Sequence, residues 1–198
     1  MNKYSLLIIL FIASLSLSAQ KKISAAQFQK TLNVEFGHKN FSPLGEEERR
    51  AFKELPFFKI SRKYRIKAKF IPAKKKETIR LKTNTTRLPA YYKLGKVQFK
   101  FKGETYSLDV YQYTKSAEVE ETKNDIFLPF KDATNGSQTY GGGRYLDLKL
   151  PQKGSKVFLD FNKAYNPYCA YSKKYSCPVV PDANSLPIEI KAGVQFKE

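Results

Sequence analysis

The stretch KVQFKFKGETYSLDV, residues 96–110, decides the fold class, because apolar and polar residues alternate on both sides of a central Gly-Glu pair. Alternation with a period of two is typical of strands, and a glycine between two such runs favours a tight hairpin turn. With Gly103 and Glu104 as the turn, one face holds three cross-strand pairs: Phe101 with Tyr106, Phe99 with Leu108, and Val97 with Val110. A slip of one residue would expose all six side chains, so the pairing is strongly specified.

The same alternation extends outward along the chain. Further strands are predicted at residues 62–70, 77–83, 126–130, 144–150, 156–161 and 186–196. Two helices are predicted ahead of them, at 24–36 with Ser24 as N-cap and at 42–55 with Ser42 as N-cap and Pro43 as the first helical residue. The sequence therefore predicts a mainly β protein, an antiparallel β sandwich or barrel with two N-terminal helices.

The first nineteen residues have the pattern of a signal peptide. Lys3 precedes a mostly apolar stretch at 5–17, and Ala19 is a small residue before the expected cleavage point. We expect an exported protein, periplasmic or secreted, with no transmembrane segment after signal removal; a retained membrane anchor is the alternative. The expected organisation is a signal peptide at 1–19, a helical segment packed on the core at 20–58, and a β domain at 59–198 whose loop 162–185 is stapled.

Positive charge is concentrated in one part of the chain. The formal net charge is +18, and residues 59–102 hold sixteen Lys or Arg and a single acidic residue, whereas residues 103–198 hold twelve of each sign. Strand alternation predicts an outward polyanion face: Lys63, Arg65, Lys67, Lys69, Arg80, Lys82, Lys100 and Lys102. The partners it favours are an anionic glycan or an envelope lipid, with no sequence-specific nucleic acid binding. A solvated face that only keeps the chain in solution is the alternative.

The two cysteines, Cys169 and Cys177, enclose seven residues. Cysteines of an exported chain tend to pair, so a disulfide is predicted. Other thiol chemistry and a metal site are the alternatives. Zinc is disfavoured because it takes four ligands and His38 is the single histidine. We expect no metal and no cofactor.

Polar residues that could bind a ligand are dense between positions 130 and 184. The glycines of GGGR, 141–144, bring Arg144 to the start of a strand, where its planar guanidinium would match a carboxylate or a phosphorylated small molecule. Asp160 and Asn162 follow a strand on its outer face, and Tyr165, Asn166 and Tyr171 add hydrogen-bonding groups on the next loop. The alternative is that Asp160 and Asn162 bond only to this loop and hold its shape.

Two longer stretches carry a family resemblance. LPFKDATNGSQTYGGGRYLDL, residues 128–148, and LDFNKAYNPYCAYSKKYSCPVVPDANSLPIEIKAG, residues 159–193, resemble a large bacterial family of exported or cytosolic domains of unknown function. The upstream SPLGEEERRAFKELPFF, residues 42–58, resembles the N-terminal part of the same family. The resemblance implies no activity, but it adds Asp132, Thr134 and Tyr140 to the candidate ligand-binding residues.

These observations favour a non-catalytic binding module for a small ligand or a polyanion. The expected small-ligand pocket is formed by Arg144, Asp160 and Asn162. The alternative is a hydrolase acting on an anionic or sugar substrate with Asp160 or Asp132 as general base. A Ser-His-Asp triad is disfavoured because His38 lies in the helical part of the chain. The catalytic residues, and whether the protein is an enzyme, stay open at this point.

Overall fold

The computed structural model describes residues 23–151 and 153–196, and in these ranges the protein is mainly β. Two helices come first, α1 (Ala25–Gly37) and α2 (Glu46–Ala51). Six strands follow: β1 (Arg65–Arg80), β2 (Ala90–Phe101), β3 (Glu104–Tyr113), β4 (Asp125–Phe130), β5 (Arg144–Lys149) and β6 (Lys156–Asp160). The predicted fold class is confirmed, and the strands form one antiparallel sheet that curls into a half-barrel.

The order of strands in the sheet is β5-β4-β3-β2-β1-β6. Strands β1 to β5 pair with their neighbours in sequence, whereas β6 returns to pair with β1, so that Arg65 lies opposite Asp160. One end of the sheet is therefore completed by a strand that follows β1 by some eighty residues along the chain.

The central hairpin forms, but the predicted turn was wrong by one residue. Lys102 and Gly103 make the turn, with φ angles of 50° and 90°. Phe101 consequently lies opposite Glu104, and Phe99 lies opposite Tyr106. A two-residue hairpin turn of this type needs positive φ at both central positions, which Gly103 adopts without cost. Because the register differs from the predicted one by two residues, the predicted inward face is unchanged.

Strand β1 joins two segments that were predicted as separate strands. Its pairing with β2 shifts register between Pro72 and Glu77, opposite Gly95. Gly95 has a φ of 140°, and a Cβ atom there would lie 2.2 Å from the carbonyl oxygen of Ile71. A residue without a side chain is therefore required where the two strands approach at this bulge.

The concave face of the sheet carries the main core. Its most deeply buried members include Val97, Leu108, Val110, Leu128 and Phe130. A smaller cluster joins α1 to the rest of the protein through Leu32, Phe36, Leu55 and Val194. On the other face of the sheet a third cluster forms around Leu81, Tyr91 and Tyr111.

Several predicted boundaries need correction. Ser24 caps α1 as predicted, accepting a hydrogen bond from the amide of Gln27 at 3.1 Å. The second helix begins at Glu46 rather than Pro43, because the Glu48 carboxylate caps the amide of Gly45 instead. Strands β4, β5 and β6 lie within a residue of their predicted limits.

Residues 186–196 do not form the predicted strand. Their alternation is real, since Ile190, Ala192 and Val194 are buried. Their backbone, however, bonds to separate parts of the protein: the amide of Ala133 donates to Ile188, and the amide of Val194 donates to Ala164. The segment therefore crosses the core as an irregular chain.

No helix within the described ranges is long and apolar enough to cross a bilayer. The predicted signal peptide, residues 1–19, lies outside the described residues.

Candidate functional site

Arg144, the centre of the predicted pocket, lies in the interior with no exposed surface. Its Nη2 atom donates to Asp132 Oδ2 at 2.6 Å and to the carbonyl of Ile190 at 2.8 Å, and its Nη1 atom donates to the carbonyl of Ala192. Burial lowers the pKa of Arg144, and the adjacent carboxylate of Asp132 opposes that shift. The guanidinium thus fastens the C-terminal segment to β5.

Asp132 is the buried counter-ion, and its side chain is fully shielded from solvent. Its Oδ1 atom accepts from the amide and hydroxyl of Thr134, at 2.9 and 2.6 Å, and from the amide of Ile190 at 3.2 Å. Thr134 Oγ1 also lies 2.8 Å from Thr139 Oγ1. Both carboxylate oxygens of Asp132 are therefore occupied by interior donors.

We call the buried Arg144–Asp132 pair the brace. The glycine that precedes it allows the backbone to pack closely against neighbouring residues. Gly143 has a φ of 93°, and a Cβ atom there would lie 2.8 Å from the carbonyl oxygen of Phe130 and 2.6 Å from Val180. The chain can therefore enter β5 close against β4 only with glycine at this position.

Asp160 and Asn162 lie elsewhere, at the junction between β6 and the helical segment. Asn162 exchanges hydrogen bonds of 3.0 Å with the backbone of Ser61, and Gln29 donates to the Asn162 carbonyl at 2.9 Å. Asp160 Oδ1 accepts from the amide nitrogen of the Asn162 side chain at 2.8 Å. No hydrogen bond or ion pair joins Arg144 to Asp160 among the described residues.

The predicted tyrosines and Asn166 also contact protein groups. Tyr165 donates to Asp147 Oδ2 at 2.8 Å, and Asn166 donates to the Tyr171 hydroxyl at 2.9 Å. The Tyr171 ring packs edge-on against Phe36 of α1, with 4.9 Å between centroids. Tyr140 packs against Phe196 in the same manner at 5.4 Å. The nine candidate residues thus bond to several different parts of the protein rather than to one another around a single pocket; a ligand-binding role for them stays a prediction.

The two cysteines are free thiols in the structure. The backbone amide of Cys169 donates to Cys177 Sγ at 3.2 Å, so the two residues lie side by side. The disulfide stays a prediction. None of the described residues forms a group of three or more His, Cys, Asp or Glu that could hold a metal ion.

The predicted polyanion face is exposed at all eight of its cations. Lys67, Lys69 and Lys100 surround a shallow concavity of about 470 Å³ on the outer face of the sheet. Lys156 of β6 also lines it, and lies directly opposite Lys69. We call these four residues the lysine face; within residues 23–151 and 153–196 none of them forms a salt bridge. Arg80 and Lys82 lie at the opposite end of β1.

Sequence reasoning did not place Lys156 on the lysine face or Phe158 beside it. Lys156 and Phe158 alternate outward in β6, and the period-two pattern of KVFLD could have placed them beside β1 had the β1–β6 pairing been known. Phe158 is 38% exposed and lies opposite Lys67. The Arg65 guanidinium lies 4.4 Å from the centroid of its ring, a cation–π contact at the margin of the lysine face.

Residues 50–195 match the family described as "Protein of unknown function (DUF1684)". The chain belongs to the DUF1684 family. A further similarity is to the solution NMR structure of an uncharacterized protein from Haloarcula marismortui, with 31% identity over 86% of this chain and 91% of that chain and a TM-score of 0.68. No curated protein matches the chain. The predicted resemblance to a family of unknown function is thereby confirmed, while its detailed signature stays a prediction.

The DUF1684 match places the features described above within the family domain. The Arg144–Asp132 brace, both cysteines and the lysine face all fall inside it, whereas α1 precedes it. Helix α1 lies ahead of the matched residues and packs on them through Leu32 and Phe36.

Proposed function

We propose that this protein is an exported binding module for polyanions and that the lysine face is its binding surface. The observation that carries the proposal is a cluster of four exposed lysines, none of which forms a salt bridge with any residue in 23–151 or 153–196. Lys69 and Lys156 are direct cross-strand neighbours. Like charges in that position destabilise a sheet, so the arrangement costs stability until an anion occupies it.

The shape of the surface favours a polymer over an enclosed small molecule. Outward residues recur about every 6.7 Å along a strand, and neighbouring strands lie about 4.8 Å apart, so the ammonium groups form a regular array. The concavity between them is shallow and lies on the open face of the sheet. Such an array can contact successive sulfate, phosphate or carboxylate groups of a chain. Together with the predicted export, it favours an anionic glycan as partner.

The first test compares two quadruple variants of equal charge. In the first, Lys67, Lys69, Lys100 and Lys156 are replaced by Gln. In the matched control, the exposed Lys30, Lys39, Lys53 and Lys173 are replaced by Gln. Heparin affinity chromatography and titrations at several salt concentrations measure binding. We expect the first variant to elute at much lower salt, with the slope of log K against log salt reduced by about 3 to 4.

The control variant should elute close to the parent protein, with only a small loss from its lower net charge. Equal losses in the two variants would show that net charge alone drives retention and would contradict the proposal. Circular dichroism melting of both variants confirms that each is folded. Polyphosphate and vesicles of anionic lipid, titrated in parallel, distinguish a glycan from the other anionic partners.

The contacts give less support to a small-ligand pocket or a hydrolase. Asp132 is enclosed by interior donors, and Asp160 caps the turn that holds Asn162. A general base needs a free carboxylate oxygen within reach of substrate, and buried Asp132 has none. The lysine face is open to solvent and has no partner of its own among the described residues, which is why we prefer it.

A further inference from the structure

The cysteine pair lies apart from the lysine face, in a buried cluster rich in aromatic residues. Cys177 packs with Tyr145 and Val180, and Tyr168 and Tyr175 line the same cluster. Only 9% of Cys177 is exposed, whereas Cys169 is half-buried. The backbone amide of Cys169 donates to Cys177 Sγ at 3.2 Å, which places the two cysteines side by side.

The backbone of Cys177 is fixed by a neighbouring turn. Its amide donates to Asn84 Oδ1 at 2.7 Å, and its carbonyl accepts from the amide of Asn84 at 3.1 Å. Arg87 of the same turn donates to the carbonyl of Ser176 at 2.6 Å and to its hydroxyl at 3.1 Å. A guanidinium is thereby held next to Cys177.

These contacts make the two thiols unequal. The hydrogen bond from the Cys169 thiol, with the Cys169 amide and the charge of Arg87, lowers the pKa of Cys177 to about 7 against the opposing effect of burial. The hydrogen bond to Cys177 raises the pKa of Cys169. The thiolate is the nucleophilic form of cysteine, so at neutral pH Cys177 is the more reactive of the two.

We propose that Cys177 and Cys169 form a redox-active dithiol that reduces small hydroperoxides, with Cys177 as the attacking and Cys169 as the resolving cysteine. The Cys177 thiolate attacks one peroxide oxygen; an S–O bond forms, the O–O bond breaks, and the leaving oxygen takes a proton and departs as water or an alcohol. Cys177 is then a sulfenic acid.

The second step forms a disulfide between Cys169 and Cys177. The Cys169 sulfur attacks the sulfenic sulfur; an S–S bond forms, the S–O bond breaks, and the hydroxyl leaves as water with the Cys169 proton. The peroxide has gained two electrons and the dithiol has lost two. Two thiols of the glutathione class, or one external dithiol, restore the pair by exchange: the first thiol forms a mixed disulfide, the second releases it, and the two reducing sulfurs leave joined in a disulfide. The disulfide predicted from the sequence is thus one state of this cycle.

The burial of Cys177 among these aromatic residues restricts which oxidants can reach it. Exchange with a protein disulfide requires a bulky partner to approach the attacking sulfur in line, and the low exposure of Cys177 prevents that approach. The low exposure of Cys177 therefore favours the smallest oxidants, of the size of hydrogen peroxide. The substrate class is therefore a small hydroperoxide.

The experiment treats the reduced protein with hydrogen peroxide and follows intact mass and free thiols. The parent should lose the mass of two hydrogen atoms and both thiols. Cys169→Ser should instead gain one oxygen atom, trapped on Cys177 by dimedone. Cys177→Ser should react about tenfold more slowly than the parent, since at pH 7 a thiol with an ordinary pKa is only a few per cent ionised. Arg87→Gln should slow the parent reaction, and Arg80→Gln serves as its matched control.

Failure of the parent to form the disulfide, or equal rates for Cys177→Ser and the parent, would overturn the proposal. A measurement on the unaltered protein guards against variants that do not fold: limiting hydrogen peroxide at pH 7 with dimedone present, followed by peptide mapping, should label Cys177 before Cys169. Labelling of Cys169 first overturns the assignment of the attacking cysteine. The lysine-face variants should oxidise as the parent does, so this proposal and the polyanion proposal fail independently.

Discussion

At the scale of the residue, the charged guanidinium of Arg144 binds groups in the protein interior rather than a ligand at the surface. Its guanidinium holds carbonyl groups of the C-terminal segment and pairs with Asp132, and neither side chain reaches solvent. The position of GGGR before a strand suggested a ligand site, but no pattern in the sequence shows that the partners are backbone carbonyls nearly fifty residues further on. Any residue can provide a backbone carbonyl as acceptor, so the sequence does not show which carbonyls Arg144 binds, and the brace could not be predicted.

We expect the brace to dominate local stability. Arg144→Met or Asp132→Asn leaves the other buried group without its partner, and each should reduce the free energy of unfolding by about 3 to 5 kcal/mol. The double variant should lose less than the sum. Urea denaturation measures the effect. Lys149→Ala, which breaks an exposed pair with Asp125, is the control and should cost less than about 1 kcal/mol. Losses of that small size at Arg144 would instead favour a ligand-binding role.

Buried tyrosines should make the protein sensitive to alkali. Burial raises the pKa of Tyr91 and of Tyr111 from 10 to about 12. A pKa that is raised in the folded state stabilises the protein below pH 10 and loses that contribution as the pH rises toward 12. The free energy of unfolding should therefore fall by about 1 kcal/mol for each of these tyrosines between pH 8 and pH 11, because the hydroxyl ionises more readily in the unfolded chain. Urea titrations of Tyr111→Phe should show a shallower decline than the parent, and an identical decline would contradict this assignment.

At the scale of the element, the central hairpin shows what alternation predicts well and what it does not. The inward set, including Val97, Phe99 and Leu108, was predicted from period two alone and is buried. The turn was misplaced because two registers that differ by two residues bury the same side chains. The positive φ angles of Lys102 and Gly103 show which of the two registers forms. The strand predicted at residues 186–196 was wrong for a related reason. Burial alternates along this segment, but its backbone does not pair with a neighbouring strand.

The bulge of β1 and β2 provides an element-scale prediction. Gly95→Ala should be strongly destabilising, by more than about 2 kcal/mol, because it combines a positive φ with a clash against the backbone of β1. Gly103→Ala is the matched control, since its φ is also positive but its Cβ atom would meet nothing within 4 Å. Thermal and urea unfolding compare the two. A cost at Gly95 no larger than that at Gly103 would show that the close approach of the strands is not needed.

At the scale of the whole molecule, the C-terminal segment joins the two cores. Ile190 and Ala192 lie in the core of the sheet, whereas Val194 lies in the cluster that holds α1. The amide of Gln195 donates to Pro56, and the amide of Phe58 donates to Gly193. The mainly β class with two N-terminal helices was predictable from sequence periodicity, but this connection was not, because it depends on contacts between the two ends of the chain.

We expect the helices and the sheet to unfold together. Guanidinium denaturation followed by far-UV circular dichroism and by tyrosine emission should give coincident transitions, since the shared segment couples both clusters. Asn184 provides a comparison site that is also buried, with its side chain bonded to Asp109 of β3 and Pro129 of β4. Asn184→Ala should shift the single transition without splitting it. A separate early loss of helical signal in the parent would contradict the coupling.

The return of β6 to the side of β1 has a consequence for biosynthesis. A nascent chain still attached to the ribosome exposes the free edge of β1 until Lys156–Asp160 emerges, and it has no complete core until residues 186–196 follow. Contacts between such distant parts of a chain form late and slowly. We therefore expect the sheet and its core to be completed only after residues 186–196 have left the ribosome.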